Sequence, residues 1–340
     1  MSEHIARALP KASVMQGSRT YFQVKKGTFL FEIVPVCAIT SPEQIRNVTD
    51  MSPLHVAYVR GALSPEQKDD VRLTKQFCKA AGVYGAESYI KGFSGYGLEI
   101  LIAHYGSFEK LLDAAANTWP HAHGSKLVLD PAKYYRDSHS ALLRLNEAKT
   151  QAPIILIDPV DKNRNAAAAV GVESYERFRA AAQAFLNVPS VVFFDTKLSI
   201  PRIRETWKGK KILFVTVKTP SDRQDIAGCK VLAYHEQAIR LLMETGFPLV
   251  HSEWRFGEKV SACWYVLNTT TIPRTAEQRG PPAHMIDAVK AFREKHAQAI
   301  MRADESGKQR WFAPITRPYT QADKAIAAAW RGASFSLRAH

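Results

Sequence analysis

Cysteine is scarce: Cys37, Cys78, Cys229 and Cys263 are scattered along 340 residues, and no C-x-x-C pair occurs. A thiolate zinc site or a dithiol redox centre is therefore not indicated, and reduced, buried thiols are expected. Long hydrophobic runs are missing too. The longest, such as "LEILIA" and "SVVFF", fall far short of the roughly 20 residues that span a bilayer, and no secretory h-region opens the chain. A soluble, unexported, cytoplasmic protein with no membrane partner is the expectation. The sequence also contains no G-x-x-x-x-G-K-[ST] loop, no G-x-G-x-x-G and no G-x-S-x-G, so the commonest phosphate cradles and the nucleophile elbow are absent. No D-x-D or E-x-D acid pair occurs, and there is no internal repeat or low-complexity tract.

Positive charge is in surplus. Lys and Arg number 46 against 32 acids, a formal charge of +14, and the excess is spread along the chain rather than held in a tail. That points to a polyanion, nucleic acid first, contacted by several domains. A length of 340 residues with 46% hydrophobic composition suits two or three domains, each with its own core.

Two strands, "TYFQV" and "TFLFEIVPV", read as a hairpin turning at Lys25-Lys26-Gly27, with one carboxylate, Glu32, set in the second. "DMSPLHVAYV" begins a helix that Ser52 can cap, with Pro53 in the first turn. "SPEQKDDVRLTKQFCKAAG" is the clearest helix, with a Ser64/Gln67 capping box, Pro65 at its first position and Gly82 at its end. Lys68, Arg72, Lys75 and Lys79 form a basic stripe on it, which composition alone cannot separate from a solvated face. "GLEILIAHY" and "SFEKLLDAAA" follow as core helices, divided by Gly106, with Ser107 as cap. His121 and His123 read as surface histidines. "APIILIDPVDKNRN" reads as a buried strand ended by Asp158-Pro159 and a polar turn, then an alanine-rich helix start. Beyond residue 187 come strands "SVVFF" and "KILFVTV", a helix over "KVLAYHEQAIRLLMETG", paired strands around "RFGEK", a polar link "NTTTIPRTAEQRGPP", a helix from about Met285 and a last helix opened by Thr320.

Taken together, "VTDMSPLHVAYV", "QKDDVRLTKQFCKAAGVYGAESYIKGFSGYGLEILIAHYGSFEKLL", "IDPVDKNRNAAAA", "RGPPAHMIDAVKAF" and "ESGKQRWFAPITRPYT" resemble, in this order, the archaeal, class I type of CCA-adding tRNA nucleotidyltransferase. The likeness covers essentially residues 19 to 332. It implies a multidomain α+β protein: a partial nucleotidyltransferase palm sheet over 1–60, a helical central nucleotide-binding domain over 61–186 and an α+β tRNA-binding tail over 187–340. It implies CTP and ATP as substrates, tRNA as partner and Mg²⁺ as cofactor.

By the same resemblance, Glu32 matches the family's third metal-binding carboxylate, where aspartate is usual. Ser52 and His55 match its nucleotide-proximal Ser/Thr-Pro-x-His segment, Lys75 and Tyr84 its triphosphate contacts, and Arg164 the arginine that reads the base edge, a task that suits a planar fork of donors. The chain departs from the pattern at its start. Gly17-Ser18 is followed by Arg19-Thr20-Tyr21 with no acid pair, and Arg19 stands where the family commonly has histidine. One carboxylate cannot hold two metal ions for phosphoryl transfer. The expectation is the C-terminal part or subunit of a split enzyme, inactive without an N-terminal palm subunit that supplies two more carboxylates. A non-catalytic tRNA-binding relative and a truncated gene product remain as alternatives.

Overall fold

The computed structural model describes residues 5, 7–16, 20–219, 223–257 and 259–339; Gly17, Ser18 and Arg19 lie outside them. The chain divides into two compact units, Met1–Lys197 and Leu198–His340. Both mix helices with sheets, in keeping with the expected multidomain α+β class.

The first unit opens with an antiparallel meander, β1 (Ser13–Gln16), β2 (Thr20–Lys26) and β3 (Phe29–Ile33), in the order β1-β2-β3. Gly27, at φ +62°, makes the expected turn, a left-handed backbone that glycine adopts without steric cost. Phe22 of the middle strand is buried, whereas Phe29, Leu30 and Phe31 of edge strand β3 are exposed. A 3₁₀ turn, Val48–Met51, then leads into α1 (Ser52–Ala62). Ser52 does not cap this helix; it is already helical, at φ −52° and ψ −42°. The cap lies earlier, in a capping box between Asn47 and Asp50, because the turn continues directly into the helix and moves its free amides upstream.

The helix α2 (Pro65–Ala80) has the capping box and Pro65 start read from its sequence, and Gly82 ends it at φ +72°. With α3 (Gly95–Tyr105) and α4 (Phe108–Asn117) it surrounds a core centred on Phe77. Ser107 caps α4, and Gly106 closes α3 in the left-handed region. A small sheet follows, β4 (Leu127–Leu129) parallel to β5 (Ile154–Asp158), which pairs antiparallel with β6 (Asp161–Asn165); α5 (Ser138–Arg144) lies between β4 and β5 in sequence. Two expectations fail here. "DKNRN" is a strand rather than a polar turn, and the alanine run is not helical, since α6 (Val172–Asn187) begins only after Gly171. The cause is Asn165, whose Oδ1 accepts from the amides of Leu156 and Ala167, both at 2.9 Å, locking β6 to β5 and bending the chain away. "SVVFF" is likewise no strand. Val191–Phe194 is a 3₁₀ turn that inserts Phe193 and Phe194 against Phe77.

The second unit is built on a sheet ordered β13-β7-β9-β8, from β7 (Lys211–Lys218), β8 (Leu249–Arg255), β9 (Val260–Leu267) and β13 (Phe335–Ala339). Alternation along β7 sends Leu213, Val215 and Val217 to a core shared with α8 (Gln224–Thr245) and α10 (Ala322–Ala329). It sends Ile212 and Phe214 to a second cluster that includes Ile200 and Ile203 of α7 (Ile200–Thr206). The polar link is in part a strand: β10 (Thr275–Pro282) pairs with β12 (Gln309–Thr316), which also pairs with β11 (Ile300–Ala303), and α9 (Ile286–Lys295) follows β10. No helix among the described residues is long and apolar enough to cross a membrane.

Candidate functional site

Four of the residues singled out in the sequence stand together round one turn, Ser94–Gly97, at the start of α3. Ser94 Oγ accepts the Gly97 amide at 3.0 Å and caps the helix. A Cβ on Gly95 would lie 3.2 Å from the Tyr84 hydroxyl and 3.4 Å from Lys75 Cε. Lys75 and Tyr84 thus close on the N-terminal end of a helix, where backbone donors and the helix dipole favour anions. Lys75 Nζ donates to Glu99 Oε1 at 2.8 Å, and Lys79 lies over the Tyr84 ring, 5.1 Å from its centroid.

The other two meet on the next residue of the turn. Tyr96 stacks on His55 with ring centroids 3.9 Å apart, and the Arg164 guanidinium lies over its ring at 5.8 Å. All three converge on Asp158, whose side chain is wholly shielded from solvent. The Tyr96 hydroxyl donates to Oδ1 at 2.8 Å, and the Val160 amide donates to Oδ1 at 3.0 Å. On Oδ2, Arg164 Nη1 forms an ion pair, and His55 Nε2 approaches to 3.2 Å. At that distance His55 Nε2 is not aligned for a hydrogen bond, so this buried atom has no hydrogen-bond partner among the described residues.

Burial works to raise the Asp158 carboxyl, and the neighbouring His55, the Val160 amide and the Arg164 guanidinium outweigh it, leaving the group below the ordinary carboxylate range. Tyr96 moves the opposite way. Burial first, then the adjacent Asp158 charge, push its hydroxyl well above tyrosine's ordinary value, so it serves as a donor. The hairpin that carries Asp158 and Arg164 is held from outside, with Tyr134 donating to Pro159 O at 2.6 Å and Tyr135 to Lys162 O at 2.7 Å.

The remaining two residues stand apart from this set. Ser52 is exposed, one turn before His55 on α1. Glu32 is exposed on edge strand β3, where it accepts from Gln23 Nε2 across the pair at 2.8 Å. No three His, Cys, Asp or Glu side chains among the described residues come together as a metal site, and His121 bonds instead with Arg179. Glu32 alone, bonded to a neutral amide at the surface, does not fit a two-ion centre.

Sequence reasoning missed Asp158, Tyr96 and Glu99. Asp158 carried a signal: an acid ending the wholly buried run "IILID" must be paired or be costly. Glu99 lies in "GLEILIAHY", which reads only as a core helix, and Tyr96 directly precedes that stretch.

Residues 69–195 match the family model described as tRNA nucleotidyltransferase, second domain, and residues 208–338 match CCA-adding enzyme, C-terminal domain. A CCA-adding enzyme of Nanoarchaeum equitans is 31% identical over 290 residues, 85% of this chain and 69% of that protein. One of Pyrobaculum neutrophilum is 32% identical over 287 residues, 84% of this chain and 63% of the relative. One of Methanoregula boonei is 28% identical over 333 residues, 96% of this chain and 69% of the relative. The matched stretch thus spans 63% to 69% of these relatives' own length.

Proposed function

The chain belongs to the CCA-adding enzymes, a family of tRNA nucleotidyltransferases, and from that premise we propose that it grips CTP and ATP and holds tRNA for addition or repair of the 3′-terminal CCA in the cytoplasm. The observation that carries this reading is the gathering of His55, Lys75, Tyr84 and Arg164, from well-separated parts of the chain, round the Ser94–Gly97 turn. Lys75 and Tyr84, with the start of α3, take the triphosphate. Ser52 and His55 border the nucleotide, and Arg164 presents its donors to the base edge. We assign residues 1–60 to the palm, 61–186 to nucleotide binding and 187–340 to tRNA binding, and the whole chain's surplus of 46 cations over 32 acids suits a phosphate backbone.

The metal is a separate matter. Mg²⁺ is the hard cation that carboxylates of a palm would hold, and when bound it supplies charge stabilisation at the transferring phosphate. Glu32 by itself does not fit that role. The proposal is that further carboxylates come from a palm-bearing polypeptide outside the described residues, with Glu32 as a contributor.

The test is incorporation of labelled CTP and ATP into tRNA lacking CCA, by the chain alone and with a palm polypeptide bearing Gly-Ser and D-x-D. Little incorporation alone and recovery on mixing, abolished by Glu32→Gln, is the expected result. Robust incorporation by the pure chain overturns the need for a partner. Tight tRNA binding without incorporation in either case points instead to a non-catalytic tRNA-binding protein.

A further inference from the structure

Asp158 is an unusual residue for a buried position. Its carboxylate sits at the end of β5, at the register shift between Ile157 and Asp158 in the pairing with β6, an irregularity of the kind that re-aims a side chain. Both oxygens are engaged, Oδ1 by Tyr96 and the Val160 amide, Oδ2 by Arg164 with His55 beside it. One carboxylate therefore ties α1, α3, β5 and β6 together at the side chains that line the site.

Stability alone does not account for this arrangement. The Arg164 side chain is 32% exposed, so water could solvate its charge, and desolvating a carboxylate to pair with it brings little net stabilisation. Geometry offers a better account. A guanidinium on a flexible stem can rotate, but one with a terminal nitrogen held by a buried carboxylate and a face resting on Tyr96 has a fixed plane. Its remaining donors then point in fixed directions.

We propose that Asp158 is a positioning residue for base selection: by fixing the guanidinium of Arg164 it turns that side chain into a rigid row of donors that accepts cytosine and adenine and rejects uracil and guanine. This rests on the reading above that Arg164 faces the base. The chemistry follows from the Watson–Crick edges. Cytosine N3 and adenine N1 are acceptors, whereas uracil N3 and guanine N1 carry hydrogens. A fixed donor meets an acceptor in the first pair and another donor in the second, which leaves both groups unpaired. A mobile arginine could swing away from that clash, and selection would fall while affinity for the correct nucleotide changed less.

The experiment measures equilibrium binding of CTP, ATP, UTP and GTP to the full chain with tRNA lacking CCA, for the unmodified chain, Asp158→Asn, Arg164→Ala and the double variant. Asp158→Asn is expected to lower the ratio of UTP to CTP dissociation constants about five- to tenfold. Adding Asp158→Asn to Arg164→Ala is expected to lower it no further, because the residue acts only through the arginine. A merely structural role would weaken all four nucleotides alike, or add its effect in the double variant, and either result overturns the proposal. Should Asp158→Asn fail to melt cooperatively, Tyr96→Phe decides: it removes one donor to Oδ1 but keeps the ring, and a smaller fall in the same ratio is expected. An unchanged ratio in Tyr96→Phe then overturns the proposal. If Arg164→Ala itself leaves selection intact, the base-reading role of Arg164 fails and this inference with it. If only Arg164→Ala lowers selection, the role of Arg164 stands and that of Asp158 falls.

Discussion

Lys75 reaches from α2 to Glu99 on α3, Nζ to Oε1 at 2.8 Å, with 27% and 23% of the two side chains exposed. A triphosphate that binds Lys75 must compete with this carboxylate and face its charge. Replacing Glu99 by Gln should therefore tighten CTP and ATP binding roughly two- to fivefold, the reach of a partly exposed pair. Lys75→Ala should weaken it on the order of tenfold or more through loss of charge-assisted bonds. Calorimetric or fluorescence titration of the two variants checks both directions, and weaker binding by Glu99→Gln would contradict the placement of the phosphates.

Asp50 is buried and organises the approach to α1. Its carboxylate accepts from the amides of Cys37 at 2.9 Å, Arg46 at 3.2 Å and Asn47 at 2.9 Å. Asp50→Ala leaves these amides without that acceptor, and a loss of about 2–4 kcal/mol is expected. Denaturant unfolding gives the magnitude, and faster hydrogen exchange at residues 37, 46 and 47 locates it. Wild-type exchange at these amides in the variant would contradict the assignment.

Much of the helical framework was legible because its signals are local. Ser64, Gln67 and Gly82 mark both ends of α2 within its own sequence, and Gly106 and Ser107 divide α3 from α4 in the same way. What could not be read depends on distant partners. Phe193 and Phe194 leave the strand pattern because the ring of Phe77 lies in the core to receive them, and the polar β10 forms because β12 supplies its ladder. The candidate site divides along the same line. A resemblance could name His55, Lys75, Tyr84 and Arg164 one at a time, but their common centre, Asp158 with Tyr96, is a property of the packing of α1, α3 and the β5–β6 hairpin.

His235 on α8 is expected to contribute to the acid sensitivity of the second unit. It is buried with Nδ1 3.1 Å from the Tyr265 hydroxyl, which also accepts from Trp330 Nε1 at 3.3 Å. Burial pushes the imidazole down to about 4, with Glu253 opposing and His251 adding to the effect. The unfolded chain binds the extra proton, so the contribution is complete above the ordinary value of about 6.5 and is lost as pH falls toward the folded value. The gap from about 6.5 to about 4 corresponds to roughly 3 kcal/mol. Unfolding midpoints followed between these pH values should fall for the unmodified chain and change less for His235→Gln; equal slopes would contradict this.

Binding of tRNA should weaken steeply with salt. A chain of net charge +14 that neutralises several phosphates releases their counterions, so log K falls linearly with log salt between about 50 and 200 mM. Fluorescence anisotropy across that range should give a steep slope, and a flat line would contradict phosphate-led binding.

Photo-crosslinking of labelled 8-azido-ATP to the chain, in the presence of tRNA lacking CCA, asks whether the side chains round Ser94–Gly97 form the nucleotide site. Mass spectrometry should find adducts within residues 52–58, 84–97 or 158–165, removed by excess CTP. Adducts confined to Leu198–His340, or labelling that excess CTP leaves unchanged, would contradict it.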